Sequence, residues 1–144
     1  MIIDDLQLTG ALQISLNNEI VHQCDNLVVT AGKNWVAGRF KDGSIPDEMS
    51  HMAIVSDDTA AAAGNRALAT ELNRIALTTD GGTVSTNTVQ YDASWTSAAA
   101  AYAIKEAGIF NAASGGTMLA RTTFAVINKG TDDTVSISWT ITVS

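Results

Sequence analysis

The sequence predicts an all-β chain, an antiparallel β-sandwich of jelly-roll type with one or two short helices. Residues 134–143 alternate apolar with Ser or Thr side chains without interruption, and successive side chains of a strand point to opposite faces. Other strand-like segments follow one another at close spacing, separated by turns rich in Gly, Asn and Asp, as in sandwiches and jelly rolls. The length of 144 residues fits one domain, residues 1–144, that is large enough to bury a core.

The N-terminal residues predict a hairpin. Leu and Ile side chains alternate with mostly polar ones over residues 6–16. Asn17-Asn18 is a turn signal, and a second strand-like segment runs from Ile20 to Cys24. We interpret residues 1–26 as an N-terminal hairpin that takes part in assembly.

A short helix is expected next, over residues 31–40. Thr30 precedes it, and a Thr hydroxyl can accept hydrogen bonds from the unpaired amides of a first helical turn. Val36 and Phe40 give this helix an apolar side. Residues 41–50 are expected to form a loop, since they contain Asp-Gly-Ser and the only proline of the chain.

The middle of the chain predicts shorter elements. A short apolar strand is expected at Met52–Val55, followed by a polar, alanine-rich connection over 57–65. Residues 68–78 are expected to begin as a helix and to end as a strand. Gly81-Gly82 is a hairpin-type turn, and the alternation over 89–95 predicts another strand.

The C-terminal part predicts three strands. A stretch of small residues comes first, and its state is left open because alanine favours helix but six residues are too few to form one alone. The segments are, in order, the small-residue stretch 96–101, a strand at 104–110, a turn at 114–116, a strand at 118–126, a turn at 128–133 and the final strand at 134–143.

Composition excludes several classes of partner. The formal net charge is −7, which argues against binding a phosphate backbone, because that requires clustered Lys and Arg. Charged residues make up 16% of the chain, well below the roughly 25% of ordinary soluble domains. No apolar run approaches the roughly 20 residues of a membrane helix, and the first residues do not resemble a signal peptide. We expect neither nucleic acid nor membrane as a partner.

Motifs of known chemistry are missing from the sequence. The single cysteine, Cys24, is expected to be a small buried residue, and His22 and His51 are too scattered to form a zinc site with it. Gly81-Gly82 and Gly115-Gly116 are better explained as turns than as phosphate loops. Adjacent acidic pairs are expected to serve turns and solvation. We therefore expect no enzyme, no catalytic residue, no cofactor and no metal ion.

The tryptophans suggest different roles. Trp95 and Trp139 lie on apolar strand faces and are expected in the core. Trp35 is expected in the core or as an anchor at a partner surface, where Trp is over-represented. A further class, a lectin-like or glycan-hydrolysing module, could use Trp35, Tyr91 or Tyr102 as a sugar platform.

Several segments carry a resemblance to a known family. They are 27–34 (LVVTAGKN), 49–54 (MSHMAI), 69–78 (ATELNRIALT), 106–111 (EAGIFN), 115–121 (GGTMLAR) and the strand through 139–141. Over 27–143 the chain resembles a group of small virion proteins of tailed bacteriophages. The group contains capsid cement or decoration proteins, such as those of short-tailed Bordetella phages, and tail fibre proteins. The resemblance implies a jelly-roll or related sandwich that binds the outside of an HK97-type shell as a dimer, without catalytic residues.

These observations together predict a capsid cement protein. It would be made in the cytoplasm of the bacterial host, lie on the outer capsid surface of the virion, and bridge neighbouring subunits of the major capsid protein. Its second partner would be another copy of itself. The alternative is a tail-fibre or baseplate component that contacts a host receptor. The predicted interface lies in the N-terminal hairpin and in the region around the loop, with the residues Leu6, Leu8, Trp35, Phe40, Met49 and His51.

Overall fold

A computed structural model describes residues 6–41 and 46–144. The start of the predicted hairpin, residues 1–5, and part of the predicted loop, residues 42–45, lie outside the described residues. Within the described ranges the chain forms nine strands and one helix, which confirms the all-β prediction. The elements are β1 (Leu8–Leu16), β2 (Glu19–Val28), α1 (Thr30–Arg39), β3 (His51–Val55), β4 (Glu71–Ala76), β5 (Thr83–Ser85), β6 (Thr88–Trp95), β7 (Tyr102–Phe110), β8 (Met118–Lys129) and β9 (Val135–Val143).

The strands form one antiparallel sheet that curls over a common core. Their order across the sheet is β4-β3-β7-β8-β2-β1-β9-β6-β5. Strand β2 belongs to both halves, because most of its length pairs with β1 while Leu27 and Val28 pair with β8. Side chains of both halves, such as Trp139 from β9 and Ile109 from β7, meet in one buried cluster. The arrangement is therefore sandwich-like, with the two layers joined through β2.

The predictions for the hairpin and for the final strand are confirmed. Asn17 and Asn18 have φ values of 51° and 69°, as a tight turn between antiparallel strands requires, and β1 pairs with β2 on either side of them. Strand β9 lies between β1 and β6. Its apolar face is buried, with Trp139 at 0% exposure, and its Ser and Thr side chains are partly exposed. The alternation in the sequence thus reflects a strand with one face on the core.

The helix begins one residue earlier than predicted. Thr30 is its first residue and Val29 takes the N-cap position without a side-chain hydrogen bond, so the prediction that Thr30 caps the helix is wrong. The N–H of Val29 still donates to the carbonyl of Leu119 on β8 (3.2 Å), so the chain changes from strand to helix directly after it. A Cβ at Gly32 would meet that same carbonyl, which places α1 directly against β8.

The middle of the chain differs most from its prediction. No helix begins at residue 68; the chain is irregular there until β4 starts, although a strand at the end of the segment is confirmed. Gly81 and Gly82 form a turn with φ values of 71° and 74°, but the turn does not join paired strands. Strand β4 pairs with β3, whereas the short strand β5, which was not predicted, pairs with β6.

The small-residue stretch at 96–101 has no regular structure. Lys129, which is 2% exposed, reaches under it from the end of β8. Its ammonium group donates to the carbonyls of Ala99 and Ala100 (3.3 Å each) and of Gly130 (3.0 Å). The stretch is thus held by a buried cation that satisfies its carbonyl groups.

Candidate interaction surface

The exposed large apolar side chains of the described residues fall into groups. Clustered apolar exposure marks an interaction site more often than scattered single residues do. One group lies where β1 begins and where α1 and β9 end, a second lies on β2 and β8, and one side chain stands apart on β5. The three sets are Leu6, Phe40 and Val143; Ile20, Val21 and Val126; and Val84.

The first group lines a groove of about 490 Å³, which we call the N-terminal groove. Its lining residues are Leu6, Gln7, Leu8, Lys33, Val36, Phe40 and Val143. The groove is mostly apolar, and Lys33 supplies a charge at its wall. Its shape and lining suit an apolar segment or surface of another molecule better than a small polar substrate.

Backbone pairing fixes the strand side of the groove. The N–H of Gln7 donates to the carbonyl of Ser144 (2.7 Å), and the N–H of Ser144 donates back to the carbonyl of Gln7 (3.0 Å). These bonds continue the pairing of β1 with β9 beyond Leu8 and Val143. Leu6, which is 68% exposed, is therefore presented from an ordered strand end.

The helix side of the groove ends in an exposed ring. Phe40 occupies the C-cap position of α1, and its N–H donates to the carbonyl of Ala37 (3.2 Å). Its side chain is 81% exposed. Fully burying a Phe side chain contributes about 1.5–3 kcal/mol of favourable free energy. A partner that covered this ring would therefore gain a strong contact.

The core position predicted for Trp35 is found in part, and its alternative role as an anchor at a partner surface stays a prediction. It packs partly against the core, and its indole N–H donates to the carbonyl of Asp47 (2.7 Å). The guanidinium of Arg39 lies 5.7 Å from the centroid of its ring and donates to the carbonyl of Pro46 (2.7 Å). Trp35 and Arg39 thus fasten α1 to the second half of the loop that connects it to β3.

The structure brings together three of the six predicted interface residues. Leu6, Leu8 and Phe40 line the groove, whereas Trp35 lines a separate depression beside it. Val36 and Val143 were missed, although they belong to the same groove. No pattern in the sequence indicates that β1 and β9 are neighbours, so the contribution of Val143 could not be foreseen.

The other two predicted interface residues lie outside the groove. Met49 is 0% exposed and belongs to the core, so the prediction that it lies at a contact surface is wrong. It precedes β3, and its carbonyl accepts from the N–H of Gly81 (3.0 Å), which folds a turn over it. His51 is partly buried at the start of β3, with Nδ1 within 2.8 Å of the hydroxyl of Ser50.

The aromatic residues do not form a common sugar platform. Tyr91 is 2% exposed in the core, and burial raises the pKa of its hydroxyl to about 12. It is therefore excluded as a platform. Tyr102 is partly buried, and its hydroxyl accepts from the amide of Asn73 (3.1 Å). The core positions predicted for Trp95 and Trp139 are confirmed, at 1% and 0% exposure.

The Cys24 thiol is poorly placed to act as a nucleophile. Burial raises the pKa of the Cys24 thiol, whose sulfur lies 3.8 Å from the hydroxyl of Thr122. A raised pKa keeps the thiol protonated, and a protonated thiol is a weak nucleophile. In the described ranges, no three His, Cys, Asp or Glu side chains group in a way that could hold a metal ion. No helix in those ranges has the length and apolar character to span a membrane.

Comparison with known proteins finds no relative for this chain. No family model, no curated protein and no solved structure matches it. Support for a function therefore comes from the surfaces and composition of the chain itself.

Proposed function

We propose that the protein is a capsid cement or decoration protein that binds the outer surface of an HK97-type phage shell. It would bind the major capsid protein and bridge neighbouring subunits by surface complementarity, without chemistry. The observation that carries the proposal is the N-terminal groove, which Leu6, Leu8 and Phe40 line and where Leu6 and Phe40 are 68% and 81% exposed. The choice of a capsid protein as the partner rests on the resemblance of residues 27–143 to phage virion proteins.

The groove has the features of a contact that is completed by another protein. Aromatic anchors in well-packed pockets carry much of the binding energy of protein interfaces, and Phe40 is such an anchor without a pocket of its own. A specific contact buries at least about 1,000 Å² in total, so surfaces around the groove would also take part. Capsid subunits could supply the apolar counterpart.

The charge of the chain favours the outer face of a shell. A formal net charge of −7 opposes contact with packaged DNA, whose phosphates repel acidic surfaces. Binding of an acidic protein to the interior wall of the shell, next to packaged DNA, is therefore electrostatically unfavourable. The protein can still bind an outer surface through apolar contacts, which depend little on charge.

A homodimer would strengthen the attachment. Two copies related by a two-fold axis present two identical grooves. When one groove has bound, the second binds as an intramolecular event, so two modest contacts give tight attachment to one shell. Bridging of neighbouring capsid subunits follows from the same geometry.

The proposal predicts that apolar side chains of the groove are needed for attachment. Heads that lack the protein are incubated with the purified chain, and bound protein is measured after sedimentation. Phe40→Ser should lower the affinity about tenfold or more, because a buried Phe contributes about 1.5–3 kcal/mol. Val84→Ser is the matched control, since Val84 is 73% exposed on β5, outside the groove. Circular dichroism establishes that both variants fold.

Two results would contradict the proposal. One is equal binding of Phe40→Ser, Val84→Ser and the unchanged chain to heads. The other is labelled protein found on tails rather than on heads in electron micrographs, which would support the tail-fibre or baseplate alternative. Cementing itself is tested by heating: decorated heads should retain DNA at temperatures at which bare heads lose it.

A further inference from the structure

Strands β2 and β8 separate after a short pairing. Among the described residues they pair at two positions, Leu27 with Arg121 and Val28 with Ala120. Towards its N-terminal end β2 continues along β1, whereas β8 continues along β7 and bulges over 124–126. The side of β2 that faces away from β1, over residues 19–25, is therefore a strand edge inside the sheet. We call it the β2 edge.

The backbone of the β2 edge offers unused hydrogen-bonding groups. The carbonyl of Asp25 accepts from the hydroxyl of Thr122 on β8 (3.1 Å), so it points away from β1. In an antiparallel strand, every second residue directs both its N–H and its C=O to the same side. Gln23 therefore presents both groups on the β2 edge, where no strand of the described chain pairs with it. Such a pair of groups is the pattern that an added strand recognises.

Apolar side chains flank this edge. Ile20 and Val21 on β2 are 56% and 45% exposed, and Val126 on the bulge of β8 is 48% exposed. Val21 and Val126 line one depression of about 260 Å³. His22 lies beside them, 5.6 Å from the ring of Phe124, and its buried Nε2 has no hydrogen-bond partner among the described residues. Beside the separated strands there are thus exposed apolar side chains and one buried ring nitrogen without a hydrogen-bond partner among the described residues.

The acidic side chains near the β2 edge favour a basic partner. Glu19 and Asp25 are both exposed on β2, and the strand contains neither Lys nor Arg. In an antiparallel pairing of two copies at this edge, Glu19 and Asp25 of one copy would meet the same carboxylates of the other, which opposes a second copy here. A complementary strand would carry Lys or Arg on either side of its apolar residues.

We infer that the β2 edge is a docking site for an extended, basic-flanked segment of a partner protein. The segment would pair with the backbone of Gln23, place apolar side chains on Val21 and Val126, and place its cations near Glu19 and Asp25. The site is separate from the N-terminal groove, so it does not depend on attachment through that groove. A protein that bridges two partners needs two such surfaces.

A peptide titration tests the inference on the full chain. The probe is the synthetic peptide Lys-Val-Thr-Val-Thr-Val-Lys, added to isotope-labelled protein and followed by NMR. The expected result is a set of amide shifts confined to residues 19–25 and 121–127, which weakens as salt is added. A peptide with proline at its central Val cannot complete the ladder and should not bind. A peptide with Glu in place of both Lys should bind at least about tenfold more weakly.

Variants of the protein separate backbone pairing from charge. Gln23→Pro removes the free N–H of the edge, together with the exposed side-chain hydrogen bond from Gln23 to Gln13 on β1 (3.0 Å). Gln23→Ala removes only that side-chain bond and is the matched control. Gln23→Pro should bind the Lys-flanked peptide at least about tenfold more weakly than Gln23→Ala does. Glu19→Lys should also weaken binding, whereas Asp80→Lys, the same charge change in an exposed turn, should leave it unchanged. The amide spectrum of each variant establishes that it is folded.

Three outcomes would overturn the inference. The first is no binding of the Lys-flanked peptide at millimolar concentration. The second is shifts at the N-terminal groove in place of the β2 edge. The third is a dimer in sedimentation that Gln23→Pro dissociates, because the edge would then be occupied by a second copy.

Discussion

Three residues on neighbouring strands, Trp139 on β9, Gly10 on β1 and Asn26 on β2, fit against one another. Trp139 on β9 is 0% exposed, and its indole N–H donates to the side-chain oxygen of Asn26 on β2 (2.7 Å). The Asn26 side chain lies over Gly10 of the intervening strand β1, where a Cβ would collide with that oxygen. The position of the Asn26 amide, and with it the hydrogen bond of Trp139, therefore requires a residue without a Cβ at position 10.

Gly10→Ala is predicted to destabilise the protein by about 1–3 kcal/mol. The new methyl group must displace the Asn26 oxygen, which leaves the N–H of Trp139 buried without an acceptor. Urea denaturation followed by circular dichroism measures the change in free energy of unfolding. Gly64→Ala is the control, because a Cβ at Gly64 has no atom within 4 Å and should change stability little. Equal stability of the two variants would show that Asn26 can move without cost.

Elements of one half of the sheet are joined by a buried ion pair. Glu106 on β7 and Arg121 on β8 are 0% and 3% exposed, with a carboxylate oxygen 2.8 Å from the guanidinium. Arg121 also donates to the side-chain oxygen of Asn65 (2.8 Å) and to the carbonyl of Thr59 (2.6 Å). It thereby holds the connection between β3 and β4 on the sheet. Burial raises the pKa of Glu106 above its ordinary 4.5, against the opposing effect of Arg121.

Arg121→Met is predicted to destabilise the protein by about 3–5 kcal/mol near neutral pH, because it leaves a buried carboxylate without its cation. A raised folded-state pKa means that the stability linked to Glu106 is fully present below about pH 4.5 and is lost as pH rises through the raised value. Arg121 opposes that rise, so its removal raises the pKa of Glu106 further, and the variant should be less destabilised at about pH 5 than at about pH 8. Denaturant titrations at both pH values measure this difference.

The double variant Arg121→Met with Glu106→Gln provides the control for this pH effect. It lacks the buried carboxylate, so its stability relative to the unchanged chain should vary much less between the two pH values. An Arg121→Met variant whose loss of stability is the same at both values would contradict the assignment to Glu106.

Some elements could be predicted from the sequence because their burial is periodic. Strand β9 alternates between core and surface along its length, so its pattern is complete. Strand β5 is exposed at all three positions and gives no such signal. The helix expected from residue 68 does not form, because Leu68 packs against Gly108 and Phe110, and this tertiary contact outweighs the helix propensity of alanine.

The N-terminal groove was predictable only in part, because a local pattern does not show which segments pack together in the fold. Apolar residues at turn-like or terminal positions indicated Leu6, Leu8 and Phe40. Met49 gave the same signal, yet its side chain is buried once the turn around Gly81 folds over it. The β2 edge depends on where β2 leaves β8, and a local pattern contains no information about that.

The whole molecule behaves as one unit because its two halves share a strand and a core. Strand β2 pairs with β1 in one half and with β8 in the other. Beyond the strand ladder, the indole of Trp95 donates to Asn73 on β4 (3.3 Å), and the N–H of Thr78 donates to the carbonyl of Asp92 (2.8 Å). Neither half can bury its apolar face without the other.

We therefore predict a single cooperative unfolding transition. In a Trp35→Phe background, tryptophan emission reports only on Trp95 and Trp139 in one half, whereas far-ultraviolet circular dichroism reports on strands of both halves. In denaturant the two signals should give the same midpoint and slope. Two separated transitions would mean that the halves unfold independently and that β2 does not couple them.

The pairing of β1 with β9 also sets when the protein can finish folding in the cell. Leu8 pairs with Val143 and Leu16 with Val135. Strand β1 therefore lacks one of its two neighbouring strands until β9 has been synthesised. Until β9 has left the ribosome, the apolar side chains of β1, including Leu12 and Ile14, lack part of their cover. Contacts of such long sequence separation form slowly. This sheet is thus expected to complete its folding only once β9 has been synthesised, and until then the uncovered face of β1 is prone to non-native pairing.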